Sequence, residues 1–177
     1  MALNINTICR GESVSFRTAI LTISDRGFRG ERQDLSGPAL RQRLEREEKF
    51  LVAREEIVGD ELEVISERLK HWADNGDYSL ILTTGGTGFS PRDITPEATQ
   101  AIIERLAPGF SEAMRSASLI ITPHAMISRA VAGIRGHTLV VNLPGSPKAA
   151  QECLEVILPA LPHALEKLAG DPADCAS

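Results

Sequence analysis

Residues 78–97 read YSLILTTGGTGFSPRDITPE, and the order of features within them decides the fold. The opening apolar run is short and continuous, the pattern of a strand buried on both faces rather than of a half-solvated one. It runs into GGTG, where Gly85, Gly86 and Gly88 let the backbone turn with little side-chain obstruction. Thr95-Pro96-Glu97 then supplies the side-chain oxygen, fixed φ and acidic first turn that a helix start prefers. Strand, glycine loop and helix in this order are a repeating unit of domains with a parallel sheet.

The same alternation extends both ways. TAILTI (18 to 23) reads as a first strand ending in SDRG. Residues 36 to 49 carry Leu40 and Leu44 at helical spacing behind a Ser36 cap and Pro38. FLVAREEIV (50 to 58) reads as a strand near the sheet edge, ended by Gly59-Asp60, and Leu62, Ile65, Leu69, Trp72 and Ala73 form one stripe on a helix over 61 to 73. Pro108-Gly109 is expected to stop the helix that begins at Thr95, with a further helix over 110 to 118. AVAGIRGHTLVVNLP (130 to 144) reads as two strands around Arg135-Gly136, an antiparallel edge hairpin. PGSP (144 to 147) repeats the strand, loop and Ser-Pro start, and Ala150, Cys153, Leu154, Ile157 and Leu158 make another stripe before Pro159 and Pro162 interrupt the chain. The expectation is an α/β protein: a three-layer α/β/α sandwich with a mainly parallel sheet and an antiparallel edge hairpin. One domain spans 17–170, between a flexible arm (1–16) and a flexible tail (171–177).

Composition narrows the function classes. A net charge of -5 gives no electrostatic basis for general nucleic-acid or anionic-membrane binding, so any anion must be caught locally. Cys9, Cys153 and Cys175 are odd in number and lack CxxC spacing, which suggests neither a disulfide framework nor a zinc site. The four histidines, 71, 124, 137 and 163, lack ligand spacing and are read as structural or exposed. No apolar run reaches membrane-spanning length, and a reducing cytoplasm is the default location.

Function is therefore sought in the loops after the strands, where ligands of open α/β sheets sit. GGTG can turn successive amides toward one anion, yet it lacks the GK[ST] of a Walker loop and the third glycine of a dinucleotide fingerprint. A tight turn needing positive φ is the plain alternative. Asp25, Asp34, Asp60 and Asp93 all fall in loops, and Asp25, Asp60 and Asp93 follow apparent strands at the end where GGTG also lies. Singly, each is more simply a cap or a turn residue. Together, carboxylates about 6 Å from a phosphate repel it by roughly 3 kcal/mol per pair at an effective dielectric of about 20, which invites a cation such as Mg²⁺ between them. LPGSPK (143 to 148) adds a second glycine turn with Pro144, Gly145, Ser146 and Lys148, or simply a well-capped helix. In MISR, Ser128 and Arg129 suit a polar ring or phosphate, with a surface salt bridge as the alternative for Arg129.

LTTGGTGFSPRDITPEAT, followed by PGF, SLIITPHAMISR, AGIRGHTL and NLPGSPKA, resembles the molybdopterin adenylyltransferase family of molybdenum cofactor biosynthesis over about residues 17 to 170. The resemblance implies a homotrimeric α/β/α sandwich in which the terminal phosphate of molybdopterin attacks the α-phosphate of Mg-ATP. Pyrophosphate leaves, and the adenylylated product passes to a downstream molybdenum-insertion enzyme. Carried over by position, Asp93 in SPRD and Asp60 in VGDE match the catalytic aspartates, with Mg²⁺ between them and ATP as co-substrate. Relatives commonly have Pro where this chain has Gly59. The resemblance assigns phosphate binding to Gly85, Gly86, Thr87 and Gly88, the nucleotide side to Ser24 and Asp25, and substrate contacts to Ser128, Pro144, Gly145 and Ser146. A noncatalytic molybdopterin-binding or carrier protein is the rival reading, and retention of both aspartates argues against it.

Overall fold

In the computed structural model the described residues are 7–10, 13–75 and 78–170, with side chains from Ser15 onward. In chain order they form strands β1 (Thr7–Arg10) and β2 (Ser13–Ile23), helices α1 (Asp25–Phe28) and α2 (Ser36–Leu44), β3 (Phe50–Val58), α3 (Leu62–Asp74) and β4 (Leu80–Thr84). There follow α4 (Thr95–Gln100), β5 (Arg105–Leu106), α5 (Pro108–Ile121) and a 3-10 turn (Pro123–Ile127). β6 (Ala132–Arg135), β7 (Thr138–Leu143), α6 (Pro147–Ile157) and α7 (Leu161–Leu168) complete the domain.

The fold is the expected three-layer sandwich. β3, β2, β4 and β7 lie side by side in parallel, and β6 and β5 add antiparallel strands at the edge. Of the expected hairpin, β6 is antiparallel, whereas β7 belongs to the parallel body beside β4. β1 pairs antiparallel with the start of β2, so residues 7–10 and 13–16 of the segment read as a loose arm are in the sheet. The tail 171–177 lies outside the described residues.

Strand side chains alternate between the two faces. Ile20, Leu82 and Val141 pack with Leu40, Leu44, Leu154 and Ile157 on one side; Leu21, Ile81 and Val140 pack with Ile65, Leu69 and Trp72 on the other. Each fully buried side chain of this kind stabilises the domain by about 1.5–3 kcal/mol. The central strands are apolar throughout because both faces are covered by helices.

Three local readings are corrected. Asp34, not Ser36, caps α2: its Oδ1 accepts the N–H groups of Ser36 (2.9 Å) and Gly37 (3.1 Å), while Oδ2 takes the Thr22 hydroxyl at 2.7 Å. That helix ends at Leu44 rather than near 49. Pro108-Gly109 begins α5 instead of stopping α4, because proline at a first helical position gives up an N–H that has no intrahelical partner there.

Candidate active site

Register builds the site. Ile23 lies opposite Val58, Thr22 opposite Thr84 and Thr84 opposite Leu143, so β2, β3, β4 and β7 end nearly flush. A register shift in the β2–β3 pair, at Thr18/Ala19, precedes this alignment. The segments that follow the four strands, at Ser24-Asp25, Gly59-Asp60, GGTG and PGSP, therefore meet along one edge. Thr84 Oγ1 donates to the Pro144 carbonyl at 2.7 Å and Gly85 N–H to the Leu143 carbonyl at 3.2 Å, joining the two glycine loops.

The loop conformation explains its glycines. Gly85 has φ 102° and a Cβ there would stand 2.2 Å from the Ile23 carbonyl oxygen; Gly86 has φ 63°. Because the Gly85 N–H is engaged by Leu143, Gly85 shapes the turn and does not offer an amide to an anion. The N–H groups of Gly86, Thr87 and Gly88 make no hydrogen bond among the described residues. Thr95, expected as a cap, instead donates its hydroxyl to the Gly85 carbonyl at 2.9 Å and its N–H to that of Gly86 at 3.1 Å.

The carboxylates are not equivalent. Asp25 and Asp60 exchange hydrogen bonds, the Asp25 N–H to Asp60 Oδ2 at 2.7 Å and the Asp60 N–H to Asp25 Oδ1 at 3.0 Å. Arg92 grips Asp25 with Nε at 3.0 Å and Nη2 at 2.9 Å, and reaches Glu61 at 2.8 Å. That guanidinium, helped by the Asp60 N–H, holds the Asp25 carboxyl below its usual range. Asp60 is pushed the other way, first by burial and further by the negative charges of Asp25 and Asp93, against the opposing Asp25 N–H and Arg92. Asp93 accepts the Ser90 N–H at 2.9 Å and so closes the SPRD turn, and a Cβ on Gly88 would stand 2.8 Å from its Oδ2.

Two cavities flank these groups. One, of about 420 Å³, is lined by Ser24, Asp34, Ser36, Asp60, Gly85 and Ser146 among others; the second, of about 430 Å³, by Thr87, Gly88, Met114, Ile127, Ser128 and Pro144 among others. Gly86, Asp93 and Gly145 line both. Of the residues that the sequence pointed to for the site, all but Asp25, Arg129 and Lys148 thus line a cavity. Asp25 acts on the site through Asp60, and Arg129 touches the loop from behind. Lys148 is exposed and pairs with Glu152. Sequence reasoning passed over Arg92, whose position before Asp93 was the available signal, and the second cavity's wall of Met114, Ser118, His124 and Cys153, of which Cys153 reads as part of a core stripe and His124 as structural or exposed. Cys153 is buried and free, and burial raises its thiol pKa.

Among the described residues no three His, Cys, Asp or Glu side chains form a metal cluster. The donors present fit a different arrangement, in which a hard cation takes one or two carboxylates and completes its shell with ligand oxygens and water. Asp60, raised first by burial and further by the charges of Asp25 and Asp93, lines the same cavity as Asp93, where a cation would offset their negative charge. No helix among the described residues is long and apolar enough to cross a membrane.

The fold and site define an α/β protein with two cavities that share one glycine wall and one carboxylate. The family model described as "Probable molybdopterin binding domain" matches residues 19–163. Molybdopterin adenylyltransferase from Helicobacter pylori is 44% identical over 155 residues, 86% of this chain and 87% of that protein. The Drosophila melanogaster molybdenum cofactor synthesis protein cinnamon is 42% identical over 160 residues, 90% of this chain but only 26% of that longer protein. The crystal structure of the molybdopterin biosynthesis enzyme MoaB from Thermus thermophilus superposes with a TM-score of 0.83 at 53% identity, covering 90% of this chain and 99% of that one. The chain belongs to the molybdopterin adenylyltransferase family of molybdenum cofactor biosynthesis, whose enzyme class is nucleotidyltransferase.

Proposed function

We propose that this enzyme adenylylates molybdopterin with Mg-ATP. An oxygen of the terminal phosphate of molybdopterin attacks the α-phosphorus of ATP; the bond from that phosphorus to the bridging oxygen breaks, and pyrophosphate leaves with the electron pair. The observation that carries this reading is the pair of cavities meeting at Gly86, Asp93 and Gly145, which suits two phosphate-bearing ligands approaching one point from opposite sides.

The more polar cavity, with Ser24, Asp34, Ser36 and Ser146, suits the nucleotide; the other sets Met114, Ile127 and Ala130 against a planar ring and Ser128 and His124 near its polar edge. The Gly86–Gly88 amides bind phosphate oxygens, and the Ser24 hydroxyl, which already accepts the Gly27 N–H at 3.1 Å, keeps its proton for a ligand acceptor. Asp60 and Asp93 would hold Mg²⁺, which when bound neutralises phosphate charge. No side chain acts as a covalent nucleophile, since positioning and charge neutralisation supply most of the acceleration in such transfers. The reading includes a homotrimer and a downstream molybdenum-insertion enzyme as recipient, which rest on the family, and a cytoplasmic setting, which rests on the cysteine pattern.

Mixing the protein with molybdopterin and Mg-ATP and measuring pyrophosphate and adenylylated product tests the reaction. Stoichiometric pyrophosphate supports it. Tight molybdopterin binding without any pyrophosphate would instead establish a carrier.

A further inference from the structure

Arg129 was expected to bind a ligand or to make a surface ion pair, and it is placed for neither alone. It lines neither cavity. Its backbone N–H donates to the Thr87 carbonyl at 2.9 Å and its Nε to the Gly88 carbonyl at 2.8 Å. Its two terminal nitrogens donate to the Asp93 carbonyl and to Glu97 on α4. One residue thus ties together the last two residues of GGTG, the main chain of Asp93 and the helix that follows. Ala130, next in sequence, is itself anchored by Arg115 of α5 through its carbonyl at 2.9 Å.

From these contacts we infer that Arg129 is a positioning residue: it fixes the distance and orientation between the Gly86–Gly88 amides and the Asp93 carboxylate, and rests on the proposed adenylyl transfer for its catalytic consequence. A trans peptide carries its N–H opposite its C=O, so pinning the Thr87 carbonyl to Arg129 turns the Gly88 N–H away from Arg129. The planar fork is what allows one side chain to reach the Gly88 carbonyl, the Asp93 carbonyl and Glu97 at once, and lysine has no equivalent geometry. Without the clamp, the SPRD turn keeps its own Ser90–Asp93 closure, Asp93 N–H to the Ser90 carbonyl at 2.8 Å and Ser90 N–H to the carboxylate, and the hold of Arg92 on Asp25 and Glu61, but Asp93 loses its tie through Arg129 to Gly88. A displacement of about 1 Å at reacting groups slows a reaction roughly a hundred-fold.

The test compares wild type, Arg129→Ala, Arg129→Lys, Asp93→Asn and the Asp93→Asn/Arg129→Ala double variant by pyrophosphate release, Tm and backbone amide hydrogen exchange of the unliganded protein. Arg129→Ala is expected to lower kcat roughly thirty- to a hundred-fold with KM for both substrates within about threefold, and to speed exchange of the amides between 88 and 94. Arg129→Lys should resemble Ala more than wild type. In the Asp93→Asn background the Ala substitution should lower kcat by less than about threefold further, while the losses in Tm add. Independent kcat losses that multiply, or a raised KM with unchanged kcat, overturn the inference; the latter would make Arg129 a ligand-binding cation. If Arg129→Ala does not fold, Arg129→Lys carries the same comparison. A wild-type protein that releases no pyrophosphate refutes the reaction, and the exchange measurement then decides Arg129 by itself: unchanged protection over 88–94 overturns the clamp.

Discussion

Asp25 and Asp60 each donate a backbone N–H to the other's carboxylate, yet their acidities move in opposite directions. Arg92 stabilises the ionised form of Asp25, whereas Asp60 has burial and two neighbouring carboxylates against it. The pair therefore holds two segments 35 residues apart while concentrating the unfavourable charge on the member that lines the cavity.

That asymmetry gives Asp60→Asn a signature. A carboxylate whose folded pKa is raised contributes stability that is fully present below its unfolded pKa and is lost as pH rises through the folded value. Asparagine retains an acceptor for the Asp25 N–H without the charge. The variant should therefore gain in Tm over wild type as pH rises through that range and be the more stable protein at neutral pH, with pyrophosphate release nearly abolished. A variant less stable than wild type at neutral pH would contradict the charge argument.

For Asp25 the sign reverses. Its lowered pKa adds stability above the ordinary carboxylate range that disappears as pH falls through the folded value. Arg92→Ala should flatten the acid limb of the Tm–pH profile. Because Arg92 is exposed, little change in Tm is expected from the lost pair itself at high salt. An acid limb identical to that of wild type would show that Arg92 does not tune Asp25.

Asp93→Asn separates chemistry from folding. Asparagine can still accept the Ser90 N–H, so Tm should move by no more than a few degrees. Losing an electrostatic contribution of about 3–4 kcal/mol in the transition state lowers kcat roughly a hundred- to a thousand-fold with molybdopterin affinity retained. A folded variant of normal turnover excludes Asp93 from catalysis.

Two glycines of the same loop should fail differently. Gly85→Ala drives a methyl against the Ile23 backbone at a positive φ, and loss of folding stability measured by denaturant titration is expected to exceed about 1 kcal/mol. Gly88→Ala meets only the movable Asp93 carboxylate, so Tm should be close to wild type while kcat falls about tenfold. Full activity in Gly88→Ala would mean that the rotamer of Asp93 is immaterial.

Assembly is checked by light scattering. Leu119, Ile120, Ile121, Met126 and Ile127 are exposed along the end of α5 and the turn after it, with Ile120 at 89%. This leaves apolar surface for contacts between subunits. A mass three times the 19.1 kDa chain is expected, and a concentration-independent single-chain mass counts against a trimer.

The sequence by itself determined the layer order and pointed to most of the residues that line the two cavities. Short apolar runs such as YSLIL read as strands covered on both sides, the stripe Ile65–Leu69–Trp72 reads as a helix covering one of those sides, and the loops that follow parallel strands fall at one sheet edge. What only the tertiary structure decided depends on register and on side-chain reach. Whether β7 joins the parallel body, and whether Val58 stands opposite Ile23 so that Asp60 meets Asp25, follows from pairings between distant segments that local periodicity does not encode. Capping went to Asp34 because Ser36 is the first residue of the helix itself and its hydroxyl donates to Asp34 Oδ1 at 2.9 Å. Arg129 illustrates the same limit: a guanidinium reads alike in sequence whether it faces ligand, solvent or backbone, and only its distance from the Gly88 carbonyl assigns it to the loop.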